Sequence, residues 1–161
     1  MQKKIHRNFA SFAFALVIFI FDQWSKLYIL QQPTLTNYNI IEVTSFFNIA
    51  LVYNRGVSFG MFAGHNQPLI LIAVSIIIIM ILLAWLWNNS SLMVAVGIGA
   101  IIGGATGNIT DRIRYGAVVD FLDFHIAGLH WPAFNIADSF VLIGVVVLSV
   151  YSMFFEKKKL H

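Results

Sequence analysis

The sequence predicts an all-α integral membrane protein with four transmembrane helices, and with short strands and an interfacial loop or helix confined to the connections. Three observations carry that expectation. The 161 residues are 59% hydrophobic and only 11% charged, with a mean hydropathy of +0.81, whereas soluble domains are about a quarter charged. Four segments are apolar over roughly the 20 residues that cross a bilayer core. The lysines and arginines lie mostly at the two ends, in "MQKKIHR" and "EKKKLH", as basic flanks of membrane spans do. The net charge of +3 and pI near 9.3 therefore read as membrane flanks and not as a nucleic-acid surface.

The first span, about 9–29, is apolar through Phe21 and then meets "DQWSK". A basic tail before an apolar core resembles a signal peptide, but no small-residue cleavage site follows, so a retained helix is expected. The connection 30–67 contains "NIIEVTSFFNIALVYNRGVSFGMF", rich in Val, Ile, Phe and Thr and too interrupted to span; it predicts short strands at the membrane surface. The second span, 68–87, opens on a proline suited to a first helical turn and carries no charge. After the "NNSS" loop, the third span, 92–111, is apolar and then polar, with Gly99, Gly103 and Gly107 four apart and Gly104 beside them. Small residues at that spacing let helices approach closely. The connection 112–137 contains "FLDFHIAGLHWP", which predicts an interfacial loop or short amphipathic turn. The fourth span is about 138–155. There is no repeat, low-complexity tract or linker, so residues 1–161 are expected to form a single membrane domain. Four spans put both termini on one side, and Lys3, Lys4, Arg7, Lys157, Lys158 and Lys159 place that side in the cytoplasm.

Of the seven acids, five fall at the expected outer ends of spans or just beyond: Asp22, Asp111, Asp120, Asp123 and Asp138. Lys26, Asn54, Arg55, Asn108, Arg112, Arg114 and Asn135 share that level. Ionisable groups at membrane depth are costly and normally face the bundle interior or a wet cavity. Snorkelling to the interface accounts for Arg114 and Asp123, but not for a whole layer on one side. Asn108, Asp111 and Arg112 share a helix face, Asn135 and Asp138 are three apart, and Asp22 and Lys26 are four apart, so three helix ends can aim polar groups at one place.

The residue inventory narrows the chemistry. Cys is absent, which excludes disulfides, thiolate metal sites and a cysteine nucleophile. Ser139 adjoins Asp138, but no lysine is placed to activate it. His125 and His130 lack further ligands for zinc and are expected to pack or hydrogen-bond at the interface. Two carboxylates in a low-dielectric pocket behave differently: they share a proton, so one deprotonates a water while the other polarises an amide carbonyl. Asp111 beside Arg112 and Asp22 beside Lys26 have ionic partners that keep them charged and structural. Asp120, after "AVV", and Asp138, after "FNIA", have no obvious local cation and are the strongest candidates for such a pair. The same acids would also suit a proton relay in a small proton-coupled transporter. Against that, the polar residues gather on one side and no polar path reaches the other.

At these residues the sequence closely resembles the bacterial lipoprotein signal peptidases (signal peptidase II), which are membrane aspartyl proteases. The likeness is carried by "FDQWSK" at 21–26, "YNRGVSFG" at 53–60, "GGATGNITDRIRYGAVVDF" at 103–121 and "FNIADS" at 134–139, in the family's order across nearly the whole chain. The resemblance implies a catalytic pair at Asp120 and Asp138, supported by Asp22, Lys26, Asn54, Gly104, Asn108, Arg112, Asn135 and Ala137, with Asp111 more structural. It implies a four-helix bundle with a small extracytoplasmic sheet cradling the substrate and a mobile loop or short helix over the site. The implied substrate is a prolipoprotein whose cysteine already carries diacylglyceryl, cleaved on the amino side of that cysteine in the bacterial inner membrane. A monomer among membrane lipids, with no cofactor and no nucleic-acid partner, is expected. Thr106 stands where an apolar residue is usual, and Gln23 and Trp24 are positions the family varies freely.

Overall fold

The computed structural model describes residues 2–37, 39–56, 67–88 and 91–156. The side chains of Lys3 and Lys4, the lysines at 157–159, the "YNRGVSFG" motif beyond Gly56 and the centre of the "NNSS" loop lie outside the described residues.

Four helices are long and apolar enough to cross a membrane: Ile5–Leu30, Pro68–Asn88, Leu92–Tyr115 and Ile136–Phe155. They lie in α1 (Gln2–Leu30), α3 (Gln67–Asn88), α4 (Leu92–Tyr115) and α5 (Ile136–Tyr151) with a closing π turn, Ser152–Glu156. A short α2 (Pro33–Thr36) follows α1. Each boundary has a local cause. Gly116 ends α4 in the left-handed conformation (φ 66°), and its N–H bonds the carbonyl of Arg112, a glycine stop. At the start of α5, Asn135 and Asp138 form a reciprocal capping box: the Asn135 side chain accepts the Asp138 N–H, and the Asp138 carboxylate accepts the Asn135 N–H.

α4 is the axis of the bundle, and its glycines explain why. A Cβ at Gly99 would lie 2.7 Å from the Ser11 carbonyl, and one at Gly103 2.6 Å from that of Ala15. On the opposite flank, a Cβ at Gly104 would run into the Ala137 carbonyl, and Gly144 faces the Gly97 carbonyl. Backbone therefore rests on backbone on both sides, the approach that small residues permit in a membrane. Ser11 Oγ also donates to the Ala95 carbonyl at 2.7 Å. An apolar cluster of Leu82, Leu86, Val94, Ala95, Ile98, Ile101, Leu148 and Tyr151 fills the end of the bundle away from the sheet. Arg7, from the basic flank of the first span, is helical and buried there, its guanidinium 3.4 Å from the Leu86 carbonyl. The last turn of a helix is a favourable place for a cation.

An antiparallel sheet in the order β1–β2–β3–β4 covers the other end. β1 (Ile41–Thr44) and β2 (Phe47–Asn54) arise from the connection expected to supply strands. β3 (Val118–Ile126) and β4 (Leu129–His130) correct the reading of "FLDFHIAGLHWP" as a loop or short turn. That segment is a hairpin whose two central residues, Ala127 (φ 49°) and Gly128 (φ 80°), are both left-handed. Such a turn matches the twist of paired strands, but alanine is an uncommon residue to begin it, so the usual sequence signal is missing. Beneath the sheet, Ile29, Leu35 and Phe121 form a second apolar cluster.

Candidate active site

Where α1, α4, α5 and β3 meet, the structure gathers the acids and amides of the predicted layer. Asp120, on β3, is 1% exposed. Its Oδ2 accepts from Asn54 Nδ2 at 3.0 Å and its Oδ1 from Asn135 Nδ2 at 2.7 Å. Asp138, in the first turn of α5, accepts from Asn108 Nδ2 at 2.8 Å and from the Asn135 N–H at 3.2 Å. Asn135 thus holds Asp120 with its side chain while capping the helix that carries Asp138. The two acids are close enough for the charge of Asp138 to act on Asp120. Burial, and then that charge, push Asp120 up to about 6 against the pull of its amide partners and of Lys26.

A second set of charges lies beneath the pair. Lys26 is 2% exposed, and its ammonium reaches Asp22 at 2.9 Å, Asp111 at 2.8 Å and Asn108 Oδ1 at 3.0 Å. All three of its donors are used. The cation partnering Asp111 is therefore Lys26, across two helices, and not its sequence neighbour Arg112. Arg112 is near enough to Asp138, Asp120 and Asp111 to feel their charges; one terminal nitrogen donates to the Asn108 carbonyl at 3.4 Å, and its buried Nε has no hydrogen-bond partner among the described residues. Gly104 and Ala137 are the touching backbones of α4 and α5, and Gly107 leaves the space that the Asp22 carboxylate fills.

Asp123 departs from its reading as an interfacial snorkeller. It is 6% exposed and accepts from Asn48 of β2 at 3.2 Å and from His130 Nδ1 of β4 at 2.8 Å. Burial raises its pKa, but the bonds from His130 and Asn48 outweigh that and hold Asp123 below the usual carboxylate range. The His125 ring stacks on His130 with centroids 4.9 Å apart. This cluster clips three strands together and does not touch the acid pair. Arg114 is exposed and bonds Gln23 Oε1 at 3.3 Å, in keeping with an interfacial position.

Gln23 was not expected at the site. Its amide donates to Asp111 at 3.0 Å and Asp22 at 3.2 Å, bridging the same acids as Lys26. Adjacent helix positions point apart, so its nearness to Asp22 in sequence gave no signal; only the length of the side chain brings it back.

The fold and site define a multi-pass membrane protein with a buried acid pair at one end of its bundle. Residues 14–155 match the signal peptidase (SPase) II family. The lipoprotein signal peptidase of Pelagibacter ubique is 40% identical, over 99% of this chain and 97% of that protein. That of Paraburkholderia phytofirmans is 41% identical, over 83% and 78%. Among solved structures, a bacterial membrane enzyme determined by the in meso method at 1.9 Å resolution superposes with a TM-score of 0.80 at 32% identity, covering 91% of this chain and 94% of that one. Another, at 2.3 Å, gives 0.78 at 33% identity, over 89% and 87%. The chain belongs to the signal peptidase II family and is an aspartic-type peptidase, a hydrolase.

Proposed function

We propose that this chain removes the signal peptide from diacylglyceryl-modified prolipoproteins, cutting on the amino side of the lipidated cysteine, and that Asp120 and Asp138 are its catalytic pair. The observation that carries the reading is that Asn135 bonds both acids, Asp120 through its side-chain amide and Asp138 through its backbone N–H. Asp120, up to about 6, holds the shared proton and donates it toward the scissile carbonyl oxygen. Asp138 takes a proton from a water as the water oxygen bonds the carbonyl carbon. The resulting diol collapses as one carboxyl protonates the departing nitrogen and the other, now a carboxylate, takes the diol's hydroxyl proton. The C–N bond breaks, leaving a signal-peptide carboxyl group and a free amine on the lipidated cysteine. The unpartnered Arg112 Nε is a donor available to a substrate carbonyl. Asn54 and Asn108 are engaged in holding the acids.

The physics of the substrate supports this assignment. A precursor with an apolar signal helix and two acyl chains concentrates in the membrane, with its cleavage point at an interface. A polar layer at one end of the bundle matches that depth. The whole chain works as a single domain in the bacterial inner membrane, monomeric among lipids, with both termini in the cytoplasm and the sheet outside.

The test is cleavage of a lipidated precursor, followed by gel shift. Asp120→Asn and Asp138→Asn each lose about 10³-fold or more in kcat, because each removes one ionisation from a pair acting as a unit. Substantial cleavage by either folded variant overturns the assignment.

A further inference from the structure

We infer that Asp22 and Asp111 are positioning residues, each gripping the backbone N–H of the residue just before one of the two reacting acids, and that Lys26 locks the grips together. The inference rests on the catalytic pair proposed above. Asp22 Oδ1 accepts the N–H of Ala137 at 2.9 Å, and Ala137 precedes Asp138. Asp111 Oδ2 accepts the N–H of Val119 at 3.1 Å, and Val119 precedes Asp120. The arrangement repeats on two unrelated elements, a helix start and a strand.

Neither bond belongs to regular structure. Ala137 N–H is one of the orphan donors in the first turn of α5. Asn135 satisfies that of Asp138, and Asp22 reaches over from α1 to satisfy its neighbour. Val119 N–H points off its strand into the bundle, where α4 meets it. The other oxygen of Asp22 and the gripping oxygen of Asp111 both bond Lys26, and Gln23 ties the two acids a second time. If the charges only glued helices together, apolar packing would serve as well, because buried ion pairs add little net stability over it. Their extra effect is geometric: a carboxylate follows its own Cα, and each gripped N–H is on the residue before it, whose φ and ψ are fixed by α5 or β3 and whose next peptide is planar. The separation of Asp120 and Asp138 is thereby set from below, leaving the substrate side open.

The pH profile separates this role from plain stabilisation. Two like acids held close have apparent values driven apart, which gives a wide bell. Loosening the grip lets the values converge, so the bell narrows. Deleting a neighbouring negative charge moves both limbs to lower pH without narrowing. Among the described residues, the charged groups acting on the pair are Lys26 from α1 and Arg112 from α4, with Asp22 and Asp111 behind Lys26; β2 contributes Asn54, and Asp123 lies in its own cluster with Asn48 and His130.

Full-length enzyme in detergent, with a lipidated precursor peptide, is assayed for kcat and KM across pH. Asp22→Ala and Asp111→Ala should lose about 10²-fold in kcat, with KM changed less than about threefold, the cost of a small misplacement. Asp22→Asn and Asp111→Asn keep an oxygen for the peptide N–H and should recover about tenfold over alanine. The alanine variants should narrow the bell, and the asparagine variants should move it to lower pH with less narrowing. A loss of amplitude at unchanged width, or asparagine no better than alanine, overturns the inference. Should the alanine variants not fold, Asp22→Glu and Asp111→Glu, which keep the charge but displace the acceptor oxygen, decide by the width of the bell: narrowing supports the grip and unchanged width overturns it. If Asp120→Asn and Asp138→Asn remain active, the catalytic reading is what fails; if they are dead and the bell does not narrow, only the positioning role fails.

Discussion

α3 and α4 are consecutive helices of similar length and opposite character. The most apolar 18 residues of α3 have a mean hydropathy of 3.2 and only 11% of that stretch is buried in the protein; those of α4 have 1.7 and 56%. The most apolar helix is thus the peripheral one. In lipid, apolar side chains gain little by leaving the solvent, so burial follows close packing and polar bonding instead. α4 supplies both, through Gly99, Gly103, Gly104 and Gly107 and through Asn108, Asp111 and Arg112. α3 offers branched aliphatic residues to lipid and meets α4 through Leu82 and Leu86.

The contrast can be broken most sharply at Gly107. Gly107→Leu would drive a side chain into the Asp22 carboxylate and part it from Lys26, at a cost of about 3–5 kcal/mol for a severed buried pair. The expected outcome is loss of monodisperse, folded protein on size exclusion; a well-folded and active variant would remove α4 from the centre of the argument. A smaller effect comes with pH. α3 contains no titratable residue, so pH dependence must arise elsewhere. Asp120 binds its proton more tightly folded, at about 6, than an unperturbed aspartate does at 3.8, so stability should fall as pH rises between those values, by about 2 kcal/mol. Asp123, held below 3.8, has the opposite sign: its contribution is present above that value and fades as pH drops through its folded pKa. Melting midpoints followed by tryptophan fluorescence should decline from about pH 4 to about pH 6, and Asp120→Asn should flatten that decline. The smallest effect belongs to the lipid face of α3. Ile77→Leu and Ile81→Val, at positions 57% and 63% exposed, should shift stability by less than about 0.5 kcal/mol and leave cleavage rates unchanged.

The same contrast explains what was legible in the sequence. Helices announce themselves by hydropathy, and the glycines at four-residue spacing announced the packing of α4. The polar layer was legible because charges near a bilayer demand a reason. The β3–β4 hairpin was not, since Asp123, His125 and His130 look like an interfacial loop until Asn48 is brought across from β2. Lys26 with Asp111 was missed for a related reason: adjacency in sequence favoured Arg112, while the actual pairing joins two helices. Arg7 was hidden by its basic neighbours. In each case the missing information was a partner far along the chain.

One rung of the sheet end has a practical consequence. Phe134 pairs with Leu122, giving its carbonyl to the N–H groups of Phe121 and Leu122 and its own N–H to Leu122. That rung closes the hairpin off from Asp120 on one side and Asn135 on the other. What lies beyond it is a cassette: residues at the Ala127–Gly128 tip can be lengthened, tagged or exchanged while the chemistry-bearing ends stay pinned, which makes the tip the place to attach a reporter to this enzyme.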